Sequence, residues 1–285
     1  MRQSDHRHKK NKSLVLLSMQ TFMLIGLFFL AFKVHADPTK DLMRLQKAYP
    51  EFIQAVSDRE IIWRDGTIMQ ADDGIPNKTP QEKLDNPSLL EQVNGPVYTL
   101  GIPEDTTNFS PSEDPGRIRY TPFFQHMYGQ TEADVKSKLV TIYWMPKFFS
   151  DTYPLQVTTV NGVDQKLLTV SNELELLVAE HPEYLPYLSS PGGTFDWRVI
   201  ANTNRLSMHS FGMTIDINAF LSNYWQWDLL KEERPISEDE PLIYRNSVPW
   251  EIIPIFERQG FIWGGKWHHY DSMHFEYRPE LLVTG

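Results

Sequence analysis

Ser207-Met208-His209-Ser210-Phe211-Gly212-Met213-Thr214-Ile215-Asp216 and, nearer the C-terminus, Asp271-Ser272-Met273-His274-Phe275-Glu276 are the two stretches that decide how this chain is read. Both concentrate imidazole and carboxylate groups, and both are flanked by strand-like sequence. Two neutral imidazoles and a carboxylate make a three-ligand set that leaves a fourth tetrahedral position for water, as catalytic zinc requires. The spacing adds a constraint. His209 and Asp216 are an odd number of residues apart, so on one straight strand they would point to opposite faces. A bend must intervene, and Gly212 supplies a backbone position that can take it, with His209 before the bend and Asp216 within a strand over Thr214–Asn218. Asp271 and His274 are also an odd number apart, which suits Asp271 on a turn and His274 on the strand it enters.

Outward from these motifs the elements alternate without a βαβ rhythm. A short helix is expected over residues 132–138, a strand over 139–145, and a second strand over 155–160 that ends at the turn pair Asn161-Gly162. Leu167, Leu168, Val170, Leu174, Leu177 and Val178 recur near the helical period, and Pro182 ends that helix. A last helix starts near Ser247-Val248-Pro249 and stops at Gly260, with Pro254 demanding a kink or a later start. Toward the N-terminus, Thr39 can cap a helix through Leu42, Leu45 and Ala48 that Pro50 interrupts, and Ile61-Ile62-Trp63 reads as a strand entering an Asp65-Gly66 turn. Eight prolines between 76 and 122 predict sparse regular structure and a long wrapping segment. The fold class expected is α+β, a small antiparallel sheet with flanking helices holding a mononuclear zinc site. The organisation expected is a leader over 1–36, a proline-rich extension over 37–130 and a catalytic domain over 131–285.

The 285 residues are 41% hydrophobic, 13% aromatic and 22% charged, too rich in core formers for a disordered chain. The net charge of −10 hides a division: residues 1–36 hold six Lys/Arg against Asp5 alone, leaving 21 basic and 36 acidic residues beyond them. That acidity argues against a nucleic-acid partner and against docking on anionic membranes. The basic start, the apolar run from Leu14 to Phe32 and the small or β-branched residues of Val34-His35-Ala36 predict a signal peptide. The protein is therefore expected to be exported, periplasmic or extracellular. The run is close to spanning length, so an uncleaved anchor through residues 13–32 is the alternative. With no cysteine, neither a disulfide framework nor a thiolate metal site exists.

The chain resembles the family of zinc D-alanyl-D-alanine carboxypeptidases and L-alanyl-D-glutamate endopeptidases. Ser207–Asp216 follows that family's S-x-H-x-x-G-x-A-x-D motif, with Thr214 in place of its alanine, and Asp271–Glu276 follows D-x-x-H-F-E. Gly264-Gly265-Lys266-Trp267 is similar to the Gly-Gly-x-Trp approach of many members. The likeness is good from about Gly192 to Tyr277, weaker back to Thr131 and absent before it. It implies that His209, Asp216 and His274 ligate one Zn2+, that Asp271 is the catalytic carboxylate, and that Arg198 is the family's active-site arginine. Ser207 would then hydrogen-bond substrate, and Glu276 would orient a ligand imidazole. The substrates implied are peptidoglycan stem peptides, cut at a terminal D-Ala-D-Ala bond or at the L-Ala-D-Glu bond. The Asp-x-x-His form is closer to the endopeptidase branch, whereas export suits a periplasmic carboxypeptidase equally well.

Plainer readings stand beside these. A single strand-flanking histidine is usually a hydrogen-bonded core residue, and Arg198 alone would be a surface ion pair. His268 and His269 read as cleft lining or exposed residues, because three ligands already suffice. Tyr224-Trp225-Gln226-Trp227 reads first as core or domain-edge packing, with the lining of a peptide cleft or a sugar contact as the alternative, and His126 has no motif partner. From a different class, a non-catalytic zinc-containing cell-wall-binding module of the same fold is the alternative; such a module could lose Asp271 freely, and this chain keeps it.

Overall fold

Side-chain alternation along two neighbouring strands sets the frame of the C-terminal region. The computed structural model describes residues 38–110 and 114–283, and within them all strand pairing is antiparallel. Strands β1 (Ile53–Val56), β2 (Glu60–Trp63) and β3 (Ile68–Gln70) form a meander, and β4 (Leu139–Tyr143) pairs with β5 (Pro154–Thr158). A four-stranded sheet combines β6 (Pro191–Gly193), β7 (Thr214–Asn218), β8 (Phe261–Trp263) and β9 (His274–Tyr277) in the order β6-β7-β9-β8. The molecule is thus mixed helix and sheet, with small antiparallel sheets. The expected leader or anchor falls on residues outside those described, and among the described residues no helix is long and apolar enough to cross a membrane.

Every residue of β9 is buried, because both faces of the sheet are covered. Phe275 and Tyr277 point into the core, where Phe275 stacks on Phe256 of the helix Ile253–Arg258 with ring centroids 3.7 Å apart. His274 and Glu276 therefore share the opposite face. On β7, Ile215 and Ile217 are fully buried in the core, leaving Thr214 and Asp216 beside His274 and Glu276. The register sets Asp216 directly opposite His274.

The helices follow their sequence signals with shifts that have local causes. The helix Val163–Glu180 buries Leu167, Val170, Leu174 and Val178 and stops before Pro182. Pro254 needs no kink, because the α-helical stretch begins at Ile253 after a 3-10 turn and places the proline in its first turn, where no N–H is missed. The proline-rich stretch holds two short helices, Pro80–Asp85 and Leu89–Val93, each started by a reciprocal capping box, Thr79 with Glu82 and Ser88 with Glu91. The first helix, Pro38–Ala48, includes Thr39 in its opening turn and buries Leu42 and Leu45.

One hydrophobic core runs from that first helix to β9. Leu42, Trp63 and Phe123 belong to the same cluster of buried side chains as Leu167, Phe211 and Phe275. The helix Thr121–Tyr128 makes the junction: Phe124 and Tyr128 lie 6.0 and 5.8 Å from the ring of Phe211, which sits on the turn that carries His209. At roughly 25 cal/mol per Å² of apolar surface buried, aromatic rings of this size anchor the two regions strongly.

Polar contacts reinforce the junction. The extended segment 114–120 lies along the C-terminal region, with Asp114 accepting from His269 Nδ1 at 2.6 Å and Arg117 forking onto Glu238 at 2.9 Å. Burial disfavours the Asp114 charge, but the His269 hydrogen bond and the Arg117 charge outweigh it and hold the carboxyl down at about 2, below its ordinary 3.8. A depressed carboxylate adds stability that is present above the unfolded-state value and is lost as pH falls through the folded one. Asp114→Asn should accordingly lower unfolding stability by about 2 kcal/mol near pH 7, and the difference from wild type should roughly halve by pH 3. Urea unfolding at the two pH values checks this.

Candidate active site

The bend expected at Gly212 is present, and two separate constraints require glycine there. Met208–Phe211 forms a 3-10 turn that ends at Gly212 with φ of 64°, a left-handed value, and an added Cβ would meet Leu139 Cδ2 at 2.7 Å. The chain reverses there, so His209 on the turn and Asp216 on β7 aim at one point. Ser207 Oγ accepts the backbone N–H of His209 at 3.3 Å and so caps this turn. Ser207 also borders the cavity beside the site.

Three donor atoms converge. His209 Nε2 lies 3.2 Å from Asp216 Oδ2 and 3.3 Å from His274 Nδ1, and His274 Nδ1 lies 2.9 Å from Asp216 Oδ1. Ligand atoms of all three residues fall within 4.8 Å of one another. Zinc bonds of about 2.0–2.1 Å place tetrahedral ligand atoms roughly 3.3 Å apart, so the His-Asp-His set fits a zinc ion in chemistry and in size. The opposite nitrogen of His274, Nε2, lies 3.2 Å from Glu276 Oε2, and a proton held there would leave Nδ1 to face an ion in the cluster. Glu276 therefore sits where it can orient that imidazole.

The electrostatics agree with a site built for positive charge. Burial alone would lower the pKa of His274, yet hydrogen bonds to Asp216 and Glu276 raise it to about 10. Burial would raise Asp216, but His209 and His274 hold it far below the carboxylate range. Glu276 is held low in the same way against its burial, first by Arg119, then by His274 and Arg278.

Asp271 is set on a turn, as its spacing to His274 requires. Its N–H donates to the carbonyl of Gly264 at 3.0 Å, and a Cβ on Gly264 would meet the Asp271 carbonyl at 2.6 Å, which explains the glycine in Gly264-Gly265-Lys266-Trp267. Asp271 Oδ1 is buried without a hydrogen-bond partner. Burial, with the nearby charge of Asp216, pushes Asp271 up to about 7 against the pull of His274 and Arg119. Asp271 thus sits poised near neutrality beside the His209-Asp216-His274 cluster.

A cavity of about 310 Å³ opens over these groups and takes in both sequence motifs. Arg198 borders it, half-exposed and paired with Asp196 at 3.0 Å, so the guanidinium has the surface ion pair of the plain reading and a place on the cleft. The backbone of Arg198 is fixed beside the His209 turn, its carbonyl accepting from the Ser207 N–H and the Ser210 hydroxyl.

Other expectations need revision. Trp225 packs with Leu229 and Tyr270 as a core residue, but Tyr224, Trp225, Gln226 and Trp227 all border the cavity, because the helix Trp225–Lys231 starts at its rim. His269 lines the cavity but is buried, held by Asp114 and by the Glu238 carbonyl, and is not an exposed residue. His268 Nδ1 contacts the Phe109 carbonyl at 2.8 Å, and His126 pairs with Asp65 at 3.1 Å over the ring of Trp63.

Three arginines escaped the sequence reading. Arg117 and Arg119 reach the cavity from the proline-rich stretch, and Arg205 from the loop before Ser207. The only signal for the first two was the alternation Arg117-Ile118-Arg119 in an acidic neighbourhood, which sets two guanidinium groups on one side of an extended chain. Arg117 pairs with Asp114 and Glu238 and Arg119 with Glu276, whereas Arg205 makes no side-chain hydrogen bond among the described residues and its buried Nε meets Asp85 only as an ion pair at 3.6 Å.

No curated protein and no solved structure matches the chain. Residues 201–277, the stretch that carries His209, Asp216, Asp271, His274 and Glu276, match the Peptidase M15 family model described as D-alanyl-D-alanine carboxypeptidase.

Proposed function

We propose that the protein is an exported zinc metallopeptidase that hydrolyses peptidoglycan stem peptides, as a D-Ala-D-Ala carboxypeptidase or an L-Ala-D-Glu endopeptidase. The observation that carries the reading is the convergence of His209, Asp216 and His274 beside the buried, unpartnered Oδ1 of Asp271, inside a segment that matches a peptidase family. His209 Nε2, Asp216 and His274 Nδ1 would hold the ion. When bound, zinc supplies a water that ionises near pH 7 and polarises the carbonyl under attack.

The residues of the chain divide the remaining work. Asp271 takes a proton from the attacking water at Oδ1 and returns it to the nitrogen of the departing amine, so the amide C–N bond breaks without expelling an anion. Glu276 keeps His274 in the tautomer that presents Nδ1 to the ion. Arg198 stands at the cleft edge to stabilise the oxyanion or to hold a substrate carboxylate. Arg205 borders the same cavity as a second guanidinium for a substrate carboxylate. Tyr224 and Trp227, packed edge to face at 5.5 Å, give the cavity an aromatic rim for the peptide.

The function is tested by incubating zinc-loaded protein with stem peptides that carry or lack a terminal D-Ala-D-Ala and analysing the products by mass spectrometry. Release of D-Ala establishes the carboxypeptidase and cleavage after L-Ala the endopeptidase; intact peptides with zinc bound would favour a binding module. Asp271→Asn should keep one zinc per chain and lose activity by about 10²–10⁴-fold. Loss of zinc in that variant would make Asp271 a ligand and not a base. Arg205→Gln should raise KM for a carboxylate-terminated peptide roughly tenfold with kcat little changed, as loss of a charge-assisted hydrogen bond demands. Steady-state kinetics on that peptide and on its C-terminal amide, which should show no such change, decide the point.

A further inference from the structure

Glu276 carries a negative charge in a fully buried position, and the way that charge is compensated joins two distant parts of the chain. Its Oε2 is shared by His274 Nε2 at 3.2 Å and Arg119 Nη2 at 2.7 Å, and its Oε1 receives Arg278 Nη1 at 2.8 Å and Arg119 Nε at 3.3 Å. Arg119 thus spans both oxygens and fixes the plane of the carboxylate, whereas Arg278 touches one oxygen and gives its Nε to Glu280. The guanidinium of Arg119 is itself clamped, its carbon 5.5 Å from the centroid of the Trp267 ring, which in turn lies 5.9 Å from the ring of His274.

The backbone on either side of Arg119 is pinned as well. Trp267 Nε1 donates to the Pro115 carbonyl at 2.6 Å, Arg278 Nη1 donates to the Gly116 carbonyl at 3.0 Å, and the Tyr120 N–H donates to Gln92 Oε1 at 2.7 Å. Gly116 has φ of 90°, a left-handed value that favours glycine, and a Cβ there would press on Ile262 Cδ1 at 2.6 Å, so the segment lies close against the sheet.

We infer that Arg119, from outside the segment that matches the peptidase family, is a positioning residue of the metal centre: through Glu276 it fixes the His274 imidazole so that Nδ1 faces His209 and Asp216. The inference rests on the metal reading of those three residues and adds that the proline-rich stretch completes the centre. Without the fork, Glu276 keeps only the single-oxygen contact of Arg278 and can rotate away from His274. Groups that hold a ligand imidazole through its second nitrogen change metal affinity by about 10–100-fold when they are removed.

The test measures zinc affinity of the full chain by competition with a chelating dye, and the visible absorption of the cobalt-loaded protein, for wild type, Arg119→Met, Arg119→Lys and Glu276→Gln. Arg119→Met should weaken zinc about 10–100-fold and alter the cobalt spectrum, with the metal-free protein folded at a lowered Tm. Arg119→Lys, which keeps the charge and loses the fork, should fall between. Adding Arg119→Met to Glu276→Gln should cost no further affinity, because the arginine acts through that carboxylate. Wild-type affinity and an unchanged spectrum in Arg119→Met would overturn the inference and leave the metal reading intact; additive losses in the double variant would overturn it too. If Arg119→Met fails to fold, an unchanged cobalt spectrum in Arg119→Lys overturns it. Absence of zinc binding by the wild type would overturn the metal reading and the inference together.

Discussion

His209, Asp216 and His274 present ligand atoms within 4.8 Å of one another, and much of the C-terminal region is arranged to hold them there. The β7–β9 register supplies two of the three by setting Asp216 opposite His274, and the left-handed turn at Gly212 swings His209 in as the third. A one-residue slip of β9 would carry His274 and Glu276 into the core and Phe275 into the cleft. The stack of Phe275 on Phe256 and the burial of Ile215 and Ile217 oppose that slip, so the apolar face of the sheet fixes the polar one.

Charge buried on the polar face is compensated outward in steps. His274 meets Glu276, Glu276 meets Arg119 and Arg278, and Arg278 meets Glu280, which accepts from the Tyr49 hydroxyl at 2.6 Å. A buried ion pair of this kind adds little net stability over an apolar pair, since desolvation offsets most of the attraction, but removal of one member leaves an uncompensated charge. The network therefore fixes an arrangement more than it deepens the fold. It also ties the first helix and the proline-rich stretch to the strand that carries His274.

How much of this the sequence disclosed follows from where each signal lies. The His209–Asp216 and Asp271–His274 pairs were legible because turn and strand spacing is local: a glycine between two odd-spaced donors demands a bend, and a carboxylate before a strand demands a turn. The antiparallel α+β character came from element order, and the later start of the helix at Ile253 from the proline that follows it. Arg119 and Arg205 were not legible. Arg119 matters through Glu276, far along the chain, and nothing in an Arg-Ile-Arg triplet among prolines reveals which carboxylate it meets, while Arg205 matters through a cavity that only the fold assembles. Tyr224 and Trp227 were misjudged for a related reason: an aromatic run reads as core unless the end of the helix that carries it is known to open on a cavity.

The central claim is that His209, Asp216 and His274 form a mononuclear zinc centre. X-ray absorption at the zinc K-edge of the metal-loaded protein tests it most directly, together with the same spectrum for His274→Ala. The account predicts one zinc per chain in a four-coordinate shell of two imidazole nitrogens and light oxygen donors at about 2.0–2.1 Å, with one imidazole lost in the variant. A shell containing a different number of imidazoles, or a spectrum unchanged by His274→Ala, would contradict it.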